Sequence, residues 1–186
     1  HVMKMDAALD QVIAPGTRIE KVASGFIFLE GPMWKEGKLW FSDVRGDKVR
    51  TFDPASGKVT VILNDSGGVK NATPTANFGS NAMVTDKDGS ILLTRMAIGT
   101  IERMDDHGYL KPFLSKYEGK RLNSPNDLVY ASDGTLYFTD PPFGLPATFA
   151  DPKKELPFSG VFAVRNGEVS LVTAELAGPN GIALSP

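Results

Sequence analysis

A four-beat unit recurs along this chain, and that recurrence narrows the fold more than any other feature. The first copy reads Pro32-Met-Trp-Lys-Glu-Gly37-Lys-Leu-Trp-Phe-Ser-Asp43, followed by runs at 48–53 and 58–63. The second occupies 82–94, 100–105 and 109–114, the third 127–140, 160–164 and 168–172, and Asn180-Gly-Ile-Ala-Leu-Ser185 opens a fourth. Each beat is a short run rich in Val, Ile, Leu, Phe, Tyr and Thr, the pattern of a strand. The first two beats join through Glu36-Gly37, Asp88-Gly89 or Asp133-Gly134, where glycine supplies the positive φ of a tight hairpin. These glycines lie 52 and 45 residues apart. Four strands at that period fit a β-propeller blade, which takes roughly 40–50 residues. Repeated sandwich hairpins would not need so regular a unit.

The predicted class is therefore all-β, with blades at about 30–63, 82–114 and 126–172 and the start of the next at 180. Residues 1–5 read as a vector-derived or disordered start, and 6–186 as part of a propeller. Propellers close with roughly 4–8 blades, and an open arc leaves unpaired strand edges. The expectation is that the rest of the gene product, or a second chain, supplies the remaining blades. Residues 65–80 are expected to form a polar inter-blade loop, and 141–159 a long Pro/Phe-rich insertion in blade three. Phe143, Phe149 and Phe158 of that insertion are expected to form an apolar wall over a substrate.

The residue inventory removes several chemistries. Twenty Lys+Arg against 22 Asp+Glu leave a net charge of −2, which argues against a broadly basic nucleic-acid binder. No run approaches 18 apolar residues, so no membrane-spanning helix is expected. With no cysteine there is no disulfide, thiolate zinc site or thiol nucleophile, and the compartment, periplasmic, secreted or cytoplasmic, stays open. Gly-x-Ser-x-Gly, Walker A and Gly-x-Gly-x-x-Gly sequences are absent, and His107 lies in an Asp-Asp-His-Gly turn. Asp86-x-Asp88-Gly89 imitates an EF-hand start but lacks the closing Glu. Asn64-Asp-Ser66 and Asn71-Ala-Thr73 fit the weak glycosylation sequon. Oxygen-ligand metal chemistry or plain binding remains.

The informative residues stand at the blade starts. Glu30, Asn126 and Asn180 each lie within one or two residues of Gly or Pro, at the head of a blade. In a propeller the first strand of each blade lines the central channel, so equivalent positions converge on one axial point. One carboxylate with amide oxygens suits a hard cation such as Ca²⁺, which takes six to eight oxygens. Taken singly, each residue also reads as a turn or strand cap. Asn81 holds the same register in blade two without being assigned as a ligand.

At these residues the sequence resembles the SMP-30/gluconolactonase/LRE family of six-bladed propeller hydrolases. The matches are Glu30-Gly31-Pro32-Met33-Trp34, Leu39-Trp-Phe-Ser-Asp43 and Tyr117-Glu-Gly-Lys-Arg-Leu-Asn-Ser-Pro-Asn-Asp127. They continue through Asp133-Gly134-x-Leu136-Tyr-Phe-Thr-Asp-Pro-Pro-Phe-Gly144 and Pro179-Asn-Gly-Ile-Ala-Leu-Ser-Pro186. The resemblance implies one axial divalent cation, often Ca²⁺ and in some members Zn²⁺ or Mn²⁺, with Glu30, Asn126 and Asn180 as ligands. It also implies a further aspartate, ligand and general base, from a later blade beyond Pro186. An arginine that some animal members carry is Ser124 here, and a histidine common in this branch is missing from Leu92-Leu-Thr-Arg-Met96. Asp127, Asn123 and Phe143 are the substrate-binding candidates, Asp127 reading equally as a strand-start cap.

Together these readings predict a metal-dependent hydrolase that opens a sugar lactone or similar small cyclic ester. The rivals are an esterase or phosphotriesterase on the same scaffold and a non-catalytic binding propeller.

Overall fold

The structure, a computed structural model, describes residues 2–70 and 78–185. Three four-stranded antiparallel sheets follow one another, each with its strands in chain order. The first holds β1 (Leu29–Lys35), β2 (Lys38–Asp43), β3 (Lys48–Asp53) and β4 (Lys58–Asn64). The second holds β5 (Ser80–Thr85), β6 (Ile91–Arg95), β7 (Thr100–Met104) and β8 (Leu110–Leu114). A small hairpin, β9 (Lys116–Tyr117) and β10 (Lys120–Arg121), intervenes. The third sheet holds β11 (Leu128–Tyr130), β12 (Leu136–Asp140), β13 (Gly160–Arg165) and β14 (Glu168–Thr173). β1 packs against β5, and β5 against β11, so the first strands share an axis from which the sheets radiate. This is the arrangement of propeller blades.

Local chemistry explains the hairpins. Glu36 and Gly37 both have positive φ (52° and 74°), the two-residue turn whose twist matches paired strands. The first hairpins of blades two and three are longer. Gly89 and Gly134 take φ of 86° and 82° just after an i to i+3 turn, and the flanking bonds Asp86 N–H to Ser90 O and Ala131 N–H to Thr135 O close each loop.

Two apolar clusters lie between successive blades. Val49, Met83, Ile91, Leu93 and Met104 join blades one and two, with Trp40 and Leu63 against them. Leu92, Leu128, Leu136, Phe138 and Phe162 belong to the cluster joining blades two and three. Phe162 is fully buried, stacked on Phe138 at 5.0 Å between centroids and tilted against Tyr117 at 5.0 Å. A polar tie closes the same seam. The Tyr130 hydroxyl donates to Asp86 Oδ1 at 2.6 Å, while Arg103 grips Asp86 Oδ2. Burial pushes the Asp86 carboxyl up, but Tyr130, the Lys87 N–H and Arg103 outweigh it and leave it below its ordinary value.

Two expectations are modified, and a third is given detail. Residues 180–185 form no ladder among the described residues, although a strand start is expected at 180. The insertion at 141–159 lies between β12 and β13 as expected and is internally organised. Its Leu145 and Leu156 are buried, and the Asp151 carboxylate accepts the N–H groups of Ala147 and Lys153, each at 2.9 Å. Phe158 leaves the expected apolar wall: its ring lies 6.4 Å from Phe162, within the blade-three core. Of the loop at 65–80, residues 71–77, and with them the Asn71 sequon, lie outside the described residues.

Candidate metal centre

The first strands turn irregular at one end, and that end carries the candidates. The β1–β2 register breaks between Glu30 and Met33, and the β5–β6 register breaks between Ser80 and Met83. In blade three Asn126 and Asp127 precede β11, tied to β12 by Asn126 N–H to Thr139 O and Thr139 N–H to Asp127 O, both 2.9 Å. Such bulges re-aim side chains out of the regular alternation. Gly31 is required beside Glu30. Its φ is 58°, and a Cβ there would sit 2.1 Å from Asn81 O, so the two backbones touch at the axis.

Glu30, Asn81, Asn126, Asp127 and Asn180 line one cavity of about 320 Å³. Three candidate ligands, from blade one, blade three and the segment that follows blade three, thus share one space, and Asn81 of blade two joins them. Asn126 is buried, whereas Glu30 is half-buried. The Glu30 carboxylate forms no ion pair among the described residues. Burial, and behind it the charge of Asp127, hold it above its ordinary value. A cation in the cavity relieves both effects. The donor set, one carboxylate with neutral amide oxygens, has the hardness that a divalent oxygen-seeking ion requires.

The remaining candidates fall into other places. Asp127 faces the cavity, but Oδ1 accepts from Leu128 N–H and Oδ2 from Ile182 N–H, each at 2.8 Å. Its carboxylate therefore caps its own strand and pins the segment that follows Asn180. Asn123 is fully buried outside the cavity lining. Its Nδ2 donates to Asp140 O and Phe158 O, each at 3.0 Å, and its Oδ1 has no partner among the described residues. Phe143 also lies off the cavity, edge-on to Phe149 at 6.0 Å and against Gly178. Ser124 is fully buried and accepts the N–H of Gly144 at 2.8 Å, holding the insertion down. Met96 brings its sulfur to 3.6 Å from Asn81 Nδ2. His107 stays exposed in its turn.

Two aspartates that the motif reading passed over hold the candidates in place. Asp43, at the end of β2, accepts the N–H groups of Ile27 and Phe28 at 3.1 and 3.2 Å, just before Glu30. Asp140, at the end of β12, accepts those of Asn123 and Ser124 at 2.8 and 2.7 Å, just before Asn126. The offset from clamped amide to candidate ligand is the same in both blades. A signal was present in the sequence: Phe-Ser-Asp43 and Phe-Thr-Asp140 close equivalent strands. Burial pushes the Asp140 carboxyl up to about 7 against the pull of its two N–H donors. Blade two departs from this pattern. Arg95 stands there instead, donating to the carbonyls of Asp65 and Ser66 and pairing with Glu102 at 2.6 Å.

The model of the SMP-30/gluconolactonase/LRE-like region matches residues 28–186. The chain belongs to this family. A gluconolactonase of Zymomonas mobilis is 37% identical over a 192-residue alignment that covers all of this chain and 53% of that protein. Among solved structures, a provisionally assigned gluconolactonase from structural genomics superimposes with a TM-score of 0.81 at 26% identity, over 95% of this chain and 59% of that one. The Xanthomonas campestris gluconolactonase gives a TM-score of 0.68 at 28% identity, over 82% and 49%. The chain spans about half the length of the family member with 37% identity.

Proposed function

We propose that the cavity is the axial metal centre of a lactone-opening hydrolase, in which these blades supply Glu30, Asn126 and Asn180 as ligands. The observation that carries the reading is the convergence of one carboxylate and two amides, from blade one, blade three and the segment that follows it, on a single cavity. Family membership and the gluconolactonase relatives support the substrate class. Glu30, Asn126 and Asn180 would hold a divalent cation, Ca²⁺ first and Zn²⁺ or Mn²⁺ as alternatives, and the chemistry it would supply when bound is Lewis acidity toward a lactone carbonyl. The rest is the work of this chain. An asparagine that gives its oxygen to a cation keeps two N–H donors, which suit the hydroxyls of a sugar lactone. Asp127 borders the same cavity and, through its hold on Ile182 N–H, keeps the Asn180 segment at the substrate side, while Asn123 and Phe143 shape the loops around it. No third Asp, Glu or His joins Glu30 and Asp127 among the described residues. The water-activating aspartate and the remaining blades are assigned, as part of this proposal, to the rest of the gene product.

Glu30→Gln in the full gene product is the test. Calcium affinity and hydrolysis of an aldonolactone should fall together, and chelation should abolish activity until a divalent ion is restored. Full activity of the variant at limiting metal overturns the ligand assignment. A panel of lactone, aryl ester and phosphotriester settles the substrate class, and preference for either of the latter two overturns the lactonase reading.

A further inference from the structure

We infer that Thr94 and Thr139 are positioning residues for the candidate centre: from the second strand of one blade, each hydroxyl holds the main-chain carbonyl of the ligand residue on the next. The inference deepens the proposed function and rests on its reading of Asn126 and Asn180 as ligands.

The geometry repeats. Thr94, on β6 of blade two, donates from Oγ1 to Asn126 O at 3.1 Å, a carbonyl that also takes Ala82 N–H at 3.2 Å, and accepts from Ala82 N–H at 3.0 Å and Asn81 N–H at 3.3 Å. Thr139, on β12 of blade three, donates from Oγ1 to Asn180 O at 2.7 Å and accepts from Asp127 N–H at 3.1 Å. Both threonines are buried. Each hydroxyl thus gives its single proton to the neighbouring blade and accepts from N–H groups of its own. Ser42 holds the same strand position in blade one, but it reaches the Ser80 hydroxyl at 2.8 Å, one residue short of Asn81. The carbonyl-holding contact is therefore made to the two asparagines assigned as ligands and not to the one left unassigned.

What the contact does follows from strand mechanics. Asn180 lies in a segment without a ladder, so main-chain bonds to its own blade do not fix it within these residues. The Thr139 hydroxyl on its carbonyl and the Asp127 carboxylate on Ile182 N–H, at 2.8 Å, fix it from the blade before. Removing the hydroxyl frees the residue to rotate and leaves a carbonyl without its donor. Outer partners that orient a metal ligand in this way are typically worth about 10–100-fold in metal affinity.

The test is calcium titration by calorimetry on the purified full gene product, with circular dichroism and thermal unfolding as fold controls. Thr139→Val keeps the shape and removes only the hydroxyl, Thr139→Ser restores the hydroxyl without the methyl, and Glu30→Gln reports on the centre itself. The expected result is a loss of about 10-fold or more in calcium affinity for T139V, with T139S within about 2-fold of the parent. Mn²⁺ bound to T139V should also give an altered EPR spectrum. If E30Q weakens calcium binding while T139V does not, the inference fails and the ligand reading stands. If T139V and T139S weaken it equally, packing rather than the hydroxyl is responsible, and the inference again fails. If E30Q leaves calcium affinity unchanged, the ligand reading itself fails and takes the inference with it. Should T139V not fold, T94V is compared with T94S; a smaller loss is expected, since Asn126 O keeps Ala82 N–H at 3.2 Å, and equal affinity of the two variants overturns the inference.

Discussion

Asp140 makes the stability of this fold depend on pH in a direction opposite to that of most carboxylates. Its side chain is fully buried, and burial raises it from an ordinary 3.8 to about 7. The folded state therefore holds a proton in a window where the unfolded chain has released it. The stability this group contributes is fully present below about pH 4 and is lost as pH rises through about 7. Linkage allows at most about 1.4 kcal/mol per pH unit for one proton, so between pH 5 and pH 8 the loss comes to about 2 to 3 kcal/mol. Asp140→Asn cannot titrate. It also offers one acceptor oxygen where the carboxylate offered two, so one of the Asn123 and Ser124 N–H groups loses its partner at every pH, at a cost of about 1 kcal/mol or more. The decisive quantity is the difference between variant and parent at the two pH values, since that constant cost and the titration of Glu30 cancel. Urea unfolding followed by tryptophan fluorescence at pH 5 and pH 8 should show the difference moving by about 2 to 3 kcal/mol in favour of the variant. Parallel pH profiles for the two proteins would refute the argument, because the two backbone donors would then hold the carboxylate ionised throughout.

Tyr130→Phe deletes the hydroxyl that donates to the charged Asp86 across the seam of blades two and three. It should destabilise by about 1.5–3 kcal/mol, and a change under about 0.5 kcal/mol in urea unfolding would show that Arg103 alone holds that carboxylate. Phe162→Ala removes the ring on which Phe138 and Tyr117 rest, and should cost about 3–5 kcal/mol with loss of near-ultraviolet ellipticity. A loss below about 1 kcal/mol would mean that the cluster closes over the void.

The blades were legible because each is a local object. The alternation of apolar residues and the Gly37, Gly89 and Gly134 turns lie within a few residues of one another, so the sequence carries both the strands and their joints. Glu30, Asn126 and Asn180 could be picked out because repetition converts a position along the chain into a position around an axis. The β9–β10 hairpin was readable in principle, since Glu118 and Gly119 with φ of 49° and 78° repeat the Glu36-Gly37 turn. The fate of Phe158 was not. An aromatic residue in a Pro-rich insertion looks alike whether it faces solvent or the Phe162 cluster, and only the tertiary path of the loop decides. The roles of Ser42, Thr94 and Thr139 were hidden for a similar reason. Hydroxyls are common at such strand positions, and their partners lie 32 and 41 residues away for the two threonines.

These contacts reach the candidate ligand residues through main-chain atoms: Thr94 and Thr139 hold carbonyls, and Asp43 and Asp140 hold amides upstream. Among the described residues none of these four side chains hydrogen-bonds to the Glu30, Asn126 or Asn180 side chain. The frame that sets where a ligand stands is therefore indifferent to what that ligand is. One residue per blade can be exchanged, amide for carboxylate or imidazole, and the substitute inherits the same address on the axis. A ring built this way can change the ion it prefers, or give up the ion altogether, by editing a few side chains while the hinges between its blades stay as they are.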